Sequence, residues 1–277
     1  MTTVTASSGI LGKTNLYVED SGGEGRPVVL IHGWPLSGES WSGQVPALQE
    51  AGYRTIFYDR RGFGRSDKPK TGYGYDTLAE DLDAVLTELD ARDATLVGFS
   101  MGGGEVARYV VKYGESRLRS VVFASAVPPF MLQGSDNPDG PLTKAAAAQM
   151  TAQLTKNQDT FYDELTTQFF SANGELKVTE AARQDALRMA GQASKLAALQ
   201  CMTSFGTTDF RDDLPKVTVP TLVIHGDADG TVPFEGSGKR THQAITQSRL
   251  HVIEGAPHGA NVSHEAEFNE ALLEFLA

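Results

Sequence analysis

The run Val28-Val29-Leu30-Ile31 is apolar at every position and is bounded by Pro27 on one side and His32-Gly33 on the other. A strand with one wet face alternates apolar and polar residues. A strand without alternation is covered on both faces, as strands of parallel sheets are. Ala94-Thr95-Leu96-Val97 and Val121-Val122-Phe123 have the same look, and Leu16 to Glu19, Tyr53 to Tyr58, Thr221 to Ile224 and Leu250 to Ile253 read as further strands. Helical patterns separate them. Trp41 to Ala51 has helical spacing and stops at Gly52, Thr77 to Leu89 places Leu78, Leu82, Val85, Leu86 and Leu89 on one face, and Glu105 to Lys112 and Glu265 to Phe275 complete the set. Strands alternating with helices predict an α/β fold, with a mostly parallel, twisted sheet flanked by helices.

One segment breaks this rhythm. From Val127 to Arg211 no strand is evident, while Ala145 to Ala148, Phe161 to Phe170, Thr179 to Met189 and Ser194 to Met202 carry helical patterns. The expected organisation is a core, residues 1–126 and 212–277, with a helical cap, 127–211, inserted between two core strands. A chain of 277 residues is long enough for such a core.

The charge balance narrows the function classes. A net charge of −11 disfavours nucleic acid and anionic membrane surfaces as partners. Cys201 is the single cysteine, which excludes an intramolecular disulfide and a cysteine-based metal site. The segment Met1 to Gly9 has neither a basic stretch nor an apolar one, and nothing approaches an apolar run of about 18 residues. A cytoplasmic protein is expected.

Gly98-Phe99-Ser100-Met101-Gly102 has the form G-x-S-x-G at a strand–turn–helix junction. A serine on such a sharp turn has its hydroxyl pushed clear of the backbone, and glycines flank it because a Cβ would collide there. Gly103 and Gly104 extend the run at a cost of roughly 1 kcal/mol each in a helix, which close approach by a substrate or a neighbouring backbone would explain. A serine hydroxyl needs a base within hydrogen-bond reach, and the base needs an orienting acid; at such junctions the chain order is serine, acid, histidine. Of the six histidines, His258 lies in the tight turn Gly255-Ala256-Pro257-His258-Gly259 after the last strand, where the base is expected. His32 suits a structural or oxyanion-loop role, and His225 a local hydrogen bond at a strand end. The acid candidates are Asp227 and Asp229, just past Thr221 to Ile224; the other position that could supply one, Ala124-Ser125-Ala126-Val127, has no carboxylate. Two backbone N–H groups are needed for a tetrahedral oxyanion, and Met101 and Trp34 are the candidates, since Pro35 has no N–H.

Taken together, His32-Gly33-Trp34-Pro35, Tyr58 to Ser66, Val97 to Gly104, Ile224 to Asp229 and Ala256 to Gly259 resemble the α/β-hydrolases, and within them the bacterial arylesterases and cofactor-free haloperoxidases, or perhydrolases. The resemblance runs nearly end to end and is weakest in the cap. It implies Ser100 as nucleophile, His258 as base and the second aspartate, Asp229, as acid, with oxyanion N–H groups from Trp34 and Met101. It implies a pocket lined by Trp34, Val127, Met131, Phe205, Thr231 and Phe234, no metal and no cofactor, and Arg60-Arg61-Gly62-Phe63-Gly64 as structural support. Pro35 resembles the haloperoxidase-labelled members, and a proline there is expected to favour peroxide over water.

The implied activity is hydrolysis of small carboxylic esters through an acyl-serine, with perhydrolysis as a side reaction. A lactonase or γ-lactamase would use the same three residues, so ester, lactone and amide substrates all stay open, as does a homo-oligomer. A non-catalytic ligand receptor on the same fold is the rival of another class. Dehalogenases and epoxide hydrolases of this fold need a carboxylate where Ser100 stands, and a hydroxynitrile lyase would need a cap lysine, Lys144, Lys156, Lys177 or Lys195, aimed at the site.

Overall fold

The structure is a computed structural model that describes residues 2–7 and 12–277; of the first nine residues read above, Met1, Ser8 and Gly9 lie outside it. The chain begins with β1 (Thr2–Ser7), β2 (Lys13–Asp20), β3 (Pro27–Ile31), α1 (Gln44–Glu50), β4 (Arg54–Tyr58), α2 (Tyr75–Glu88), β5 (Ala94–Phe99), α3 (Met101–Tyr113) and β6 (Leu118–Ala124). Next come α4 (Lys144–Lys156), α5 (Gln158–Phe169), β7 (Ser171–Ala172), β8 (Glu175–Leu176), α6 (Glu180–Gly191) and α7 (Lys195–Thr207). The chain then returns to the sheet with β9 (Thr221–Gly226), α8 (Gly238–Ala244), β10 (Arg249–Ile253), α9 (Ala260–Ser263) and α10 (Glu265–Leu276).

The main sheet has eight strands in the order β1-β2-β4-β3-β5-β6-β9-β10. β1 and β2 join antiparallel, and every pairing from β4 to β10 is parallel. The unbroken apolar run of β3 explains its place near the middle. Val29 and Ile31 enter one buried cluster with α2 and α3, while Val28 and Leu30 enter the other with Trp41 and α10. Burying a side chain of this size on either face stabilises the fold by about 1.5–3 kcal/mol.

Three local features depart from the sequence reading. β1 was not foreseen, because its threonines and serine hide the alternation that buries Val4 and Ala6. The helix expected over Trp41 to Ala51 splits into a 3₁₀ turn, Gly38–Trp41, and α1. Pro46 has no N–H to give, so it belongs in a first turn, and the helix starts at Gln44 accordingly. The segment expected to lack strands holds the short β7–β8 hairpin. Its turn is Asn173-Gly174, both at positive φ (54° and 80°), the residue pair that favours a two-residue hairpin.

The arginine loop after β4 is a buried electrostatic joint. Arg60 pairs with Glu105 on α3, and Arg61 pairs with Asp81 on α2 at 2.5 Å, all four side chains being buried. The Tyr58 hydroxyl donates to Glu105 at 2.8 Å. These contacts bind the strand-end loop to the helices on one face of the sheet.

Candidate active site

Parallel strands leave their carboxyl ends along one edge of the sheet, where open α/β folds gather their binding residues. Ser100 follows β5, Asp229 lies just after β9 and His258 just after β10. Ser100 has φ +53° and ψ −117°, outside the ordinary regions for a side-chain-bearing residue. Its N–H donates to the Ala124 carbonyl (2.9 Å), and its carbonyl accepts from the N–H of Val127 (3.1 Å). The flanking glycines answer to neighbouring backbone: a Cβ at Gly98 would lie 2.6 Å from the Gly102 carbonyl oxygen, and one at Gly102 would lie 2.6 Å from that of Ile31.

His258 Nε2 is 2.9 Å from Ser100 Oγ, and His258 Nδ1 is 2.6 Å from Asp229 Oδ2. A carboxylate only accepts, so Nδ1 carries the proton and Nε2 offers its lone pair to the serine hydroxyl. Phe99 and Phe169 hold the imidazole, with ring centroids at 5.1 and 4.7 Å. Asp229 Oδ1 accepts from the N–H groups of Thr231 (2.8 Å) and Val232 (2.7 Å). Burial alone would raise the Asp229 pKa; the adjacent His258 and hydrogen bonds from His225 and His258 outweigh it and hold the carboxyl well below the usual range. Asp227, the other candidate, is exposed and accepts the Gly255 N–H at 2.6 Å instead.

The N–H groups of Trp34 and Met101 have no acceptor among the described residues. Met101 opens α3, so the positive end of that helix lies beside Ser100. The Trp34 indole donates to the Ala198 carbonyl (3.1 Å) and packs near Phe205, which ties the loop after β3 to α7. His32 is buried; its Nδ1 is 2.8 Å from the Gly33 carbonyl and its Nε2 accepts the Arg60 N–H at 2.9 Å. Burial, then the Arg60 charge, pushes its pKa down to about 3, so it serves this loop as a neutral brace. His242, His251 and His264 engage Ser248, Glu267 and Ser263 away from Ser100.

A largely apolar, partly enclosed cavity of about 60 Å³ meets Ser100 and His258. Of the residues expected to line it, Trp34, Val127, Met131, Phe205 and Thr231 do so. Phe234 does not: it sits on the 3₁₀ turn Phe234–Gly236 and packs against the His225 ring at 5.7 Å. Leu142, Met150, Leu165, Phe169 and Val232 complete the wall. Val232 was within reach of the sequence, lying three residues after Asp229 in the same turn; Leu142, in the loop before α4, and the helical Met150, Leu165 and Phe169 carry no local signal beyond being apolar. None of the four cap lysines lines the cavity, and a larger hollow of about 470 Å³ beside Glu39, Asp185 and Arg188 meets neither Ser100 nor His258.

The geometry has the plan of an α/β-hydrolase, and residues 26–265 match the model of the alpha/beta hydrolase fold family; the chain belongs to that family. Among its relatives, it is 47% identical to the non-heme chloroperoxidase CPO-A1 of Kitasatospora aureofaciens, over 92% of this chain and 93% of that protein. It is 36% identical to the bifunctional esterase/perhydrolase DCH of Acinetobacter calcoaceticus, over 99% of this chain and 98% of that one. A crystal structure of a bromoperoxidase from Bacillus anthracis superposes with a TM-score of 0.95 at 51% identity, covering 99% of both chains. No helix among the described residues is long and apolar enough to cross a membrane.

Proposed function

We propose that this protein hydrolyses small carboxylic esters through an acyl-serine and also transfers the acyl group to hydrogen peroxide. The observation that carries the reading is His258, hydrogen-bonded at once to Ser100 and Asp229 beside an apolar cavity. The names of similar proteins, an esterase/perhydrolase and non-heme haloperoxidases, support the same chemistry.

In the proposed reaction Ser100 Oγ attacks the ester carbonyl while His258 Nε2 takes its proton. Asp229 keeps the proton on Nδ1 and stabilises the imidazolium. The Trp34 and Met101 N–H groups receive the oxyanion, an arrangement in which a single donor contributes about 3–4 kcal/mol to barrier lowering in comparable sites. His258 then protonates the departing alkoxide. Water, deprotonated by the same nitrogen, breaks the acyl–serine bond and releases the acid; peroxide in its place gives a peracid, which oxidises halide.

Residues 127–211 form the cap in this reading, with 1–126 and 212–277 as the core. A cavity of about 60 Å³ suits a short acyl group. A neighbouring apolar hollow of about 190 Å³, between α4 and α7, shares Leu142 and Met150 with it and suits the alcohol part of the ester. The partner is a small molecule. A cytoplasmic setting fits Cys201, a single buried thiol whose pKa burial pushes up to about 12.

The test combines labelling with turnover. A fluorophosphonate is expected to modify Ser100 promptly, and p-nitrophenyl acetate to be hydrolysed, with peracid appearing when peroxide is added. A native protein inert to both reagents would overturn the proposal in favour of a ligand receptor. Lactones and γ-lactams in the same assay read the breadth of the pocket.

A further inference from the structure

Asp229 has a second histidine. His225, in β9, is fully buried, and its Nε2 lies 2.8 Å from the Val232 carbonyl and 3.2 Å from Asp229 Oδ2. Both neighbours only accept, so Nε2 carries the proton; its hydrogen bond goes to the Val232 carbonyl, with the Asp229 oxygen lying close beside it. The other ring nitrogen, Nδ1, is buried with no hydrogen-bond partner among the described residues. An unpaired buried acceptor costs stability, commonly about 1–3 kcal/mol, so packing alone does not account for a histidine here. The ring has little freedom. Phe234 packs on it at 5.7 Å, and Gly238 backs onto it so closely that a Cβ there would meet Nδ1 at 2.5 Å.

We propose that His225 is a positioning residue for the acid: its Nε2–H restrains Asp229 Oδ2, the oxygen that also accepts the hydrogen bond from His258 Nδ1–H, and so sets how strongly the acid draws on the base. The inference rests on the proposed hydrolase reading. Three hydrogen bonds and one close N–H then meet the carboxylate, Thr231 and Val232 donating to one oxygen, His258 donating to the other with His225 Nε2 3.2 Å from it. The two amides fix the carboxylate in its turn. The titratable groups against it are His258, from the loop after β10, and His225, from β9; Thr231 and Val232 supply amide N–H groups. A donor on Oδ2 withdraws negative charge from the oxygen facing His258. Without it the carboxylate is more basic, holds the imidazolium more tightly and is freer to turn.

The experiment compares His225→Leu with His225→Gln, whose amide can return an N–H to the same oxygen. Ester kcat/KM is followed against pH, with active sites counted by fluorophosphonate. For His225→Leu the acid limb is expected to move up by about half a unit. Its plateau kcat should fall about ten-fold, less than the ~10²-fold cost of displacing a catalytic group by 1 Å. His225→Gln is expected to restore both toward wild type. A His225→Leu limb that overlays wild type, with only thermal stability reduced, would show a merely structural residue and sink the proposal. If His225→Leu does not fold, His225→Phe takes its place, and the downfield proton resonance of the His258 Nδ1–H bond gives a second readout: it should move in the folded variant lacking the donor and return in Gln. A wild-type protein that hydrolyses no ester would instead sink the hydrolase reading itself, a result distinct from an active wild type with an unmoved limb.

Discussion

The edge of the sheet and the helices above it build the cavity in different ways. At the edge, directed hydrogen bonds fix each functional group: Ser100 is anchored by its backbone to Ala124 and Val127, Asp229 to the amides of Thr231 and Val232, and His258 to the Asp229 carboxylate. In the helical segment the walls are apolar side chains such as Leu142, Met150 and Leu165, half-buried and restrained by packing alone. Hydrogen bonds of defined direction leave little latitude, whereas dispersion contacts are individually weak and tolerate exchange. Chemistry is therefore expected to fail sharply on changes at the edge, and selectivity to drift gradually on changes above it.

The largest effect should come from Ser100→Ala, which is expected to lower ester kcat/KM at least about 10³-fold, with an unaltered melting curve. Asp229→Asn should cost on the order of 10³–10⁴-fold by upsetting the imidazole tautomer. It should also remove one acid-sensitive part of stability. The folded Asp229 pKa lies below its unfolded value, so its contribution is present above the unfolded pKa of about 4 and fades as pH falls. Urea midpoints between neutral and acid pH check that sign. If Ser100→Ala kept most of the activity, the edge would not be the reactive part of the molecule.

The buried joint behind the edge offers a stability counterpart. Glu105→Gln leaves the Arg60 guanidinium buried beside a neutral partner and is expected to destabilise by about 3 kcal/mol in equilibrium unfolding. Above the edge, Met150→Ala should widen the cavity, shift the preferred acyl chain upward by one or two carbons and change acetate turnover by about ten-fold, the lower end of what a methylene commands in an apolar pocket. The smallest effect is expected from Pro35→Leu, a fall in the ratio of perhydrolysis to hydrolysis with ester hydrolysis retained. An unchanged ratio would separate Pro35 from peroxide selection.

The same contrast explains what could be read from the chain. Strands such as Val28 to Ile31 were legible because burial on both faces erases alternation, and Ser100 and His258 because strand-end turns with glycine have few uses. Asp227 and Asp229 could not be separated by pattern alone; their difference lies in which side chain the turn buries, an outcome of the amides of Thr231 and Val232. β1 stayed hidden because two small buried residues make a faint period. The cavity wall was legible only in part, since Met150, Leu165 and Phe169 meet through helix packing, and Leu142 joins them from a loop, which no short segment encodes. Phe234 illustrates the opposite error: an apolar residue close in sequence to Thr231 points toward His225 instead.

The single hydrogen bond from the Trp34 indole to Ala198 makes one residue answer to both regions. In the proposed reaction Trp34 offers a backbone donor toward the reacting carbonyl, while its side chain is fastened to the roof. A displacement of the roof helix to admit a bulkier guest would drag that donor with it. An engineer who reshapes this protein for larger substrates should therefore expect turnover to decline alongside, unless the tether is relieved first, for instance by exchanging the indole for a ring that cannot donate.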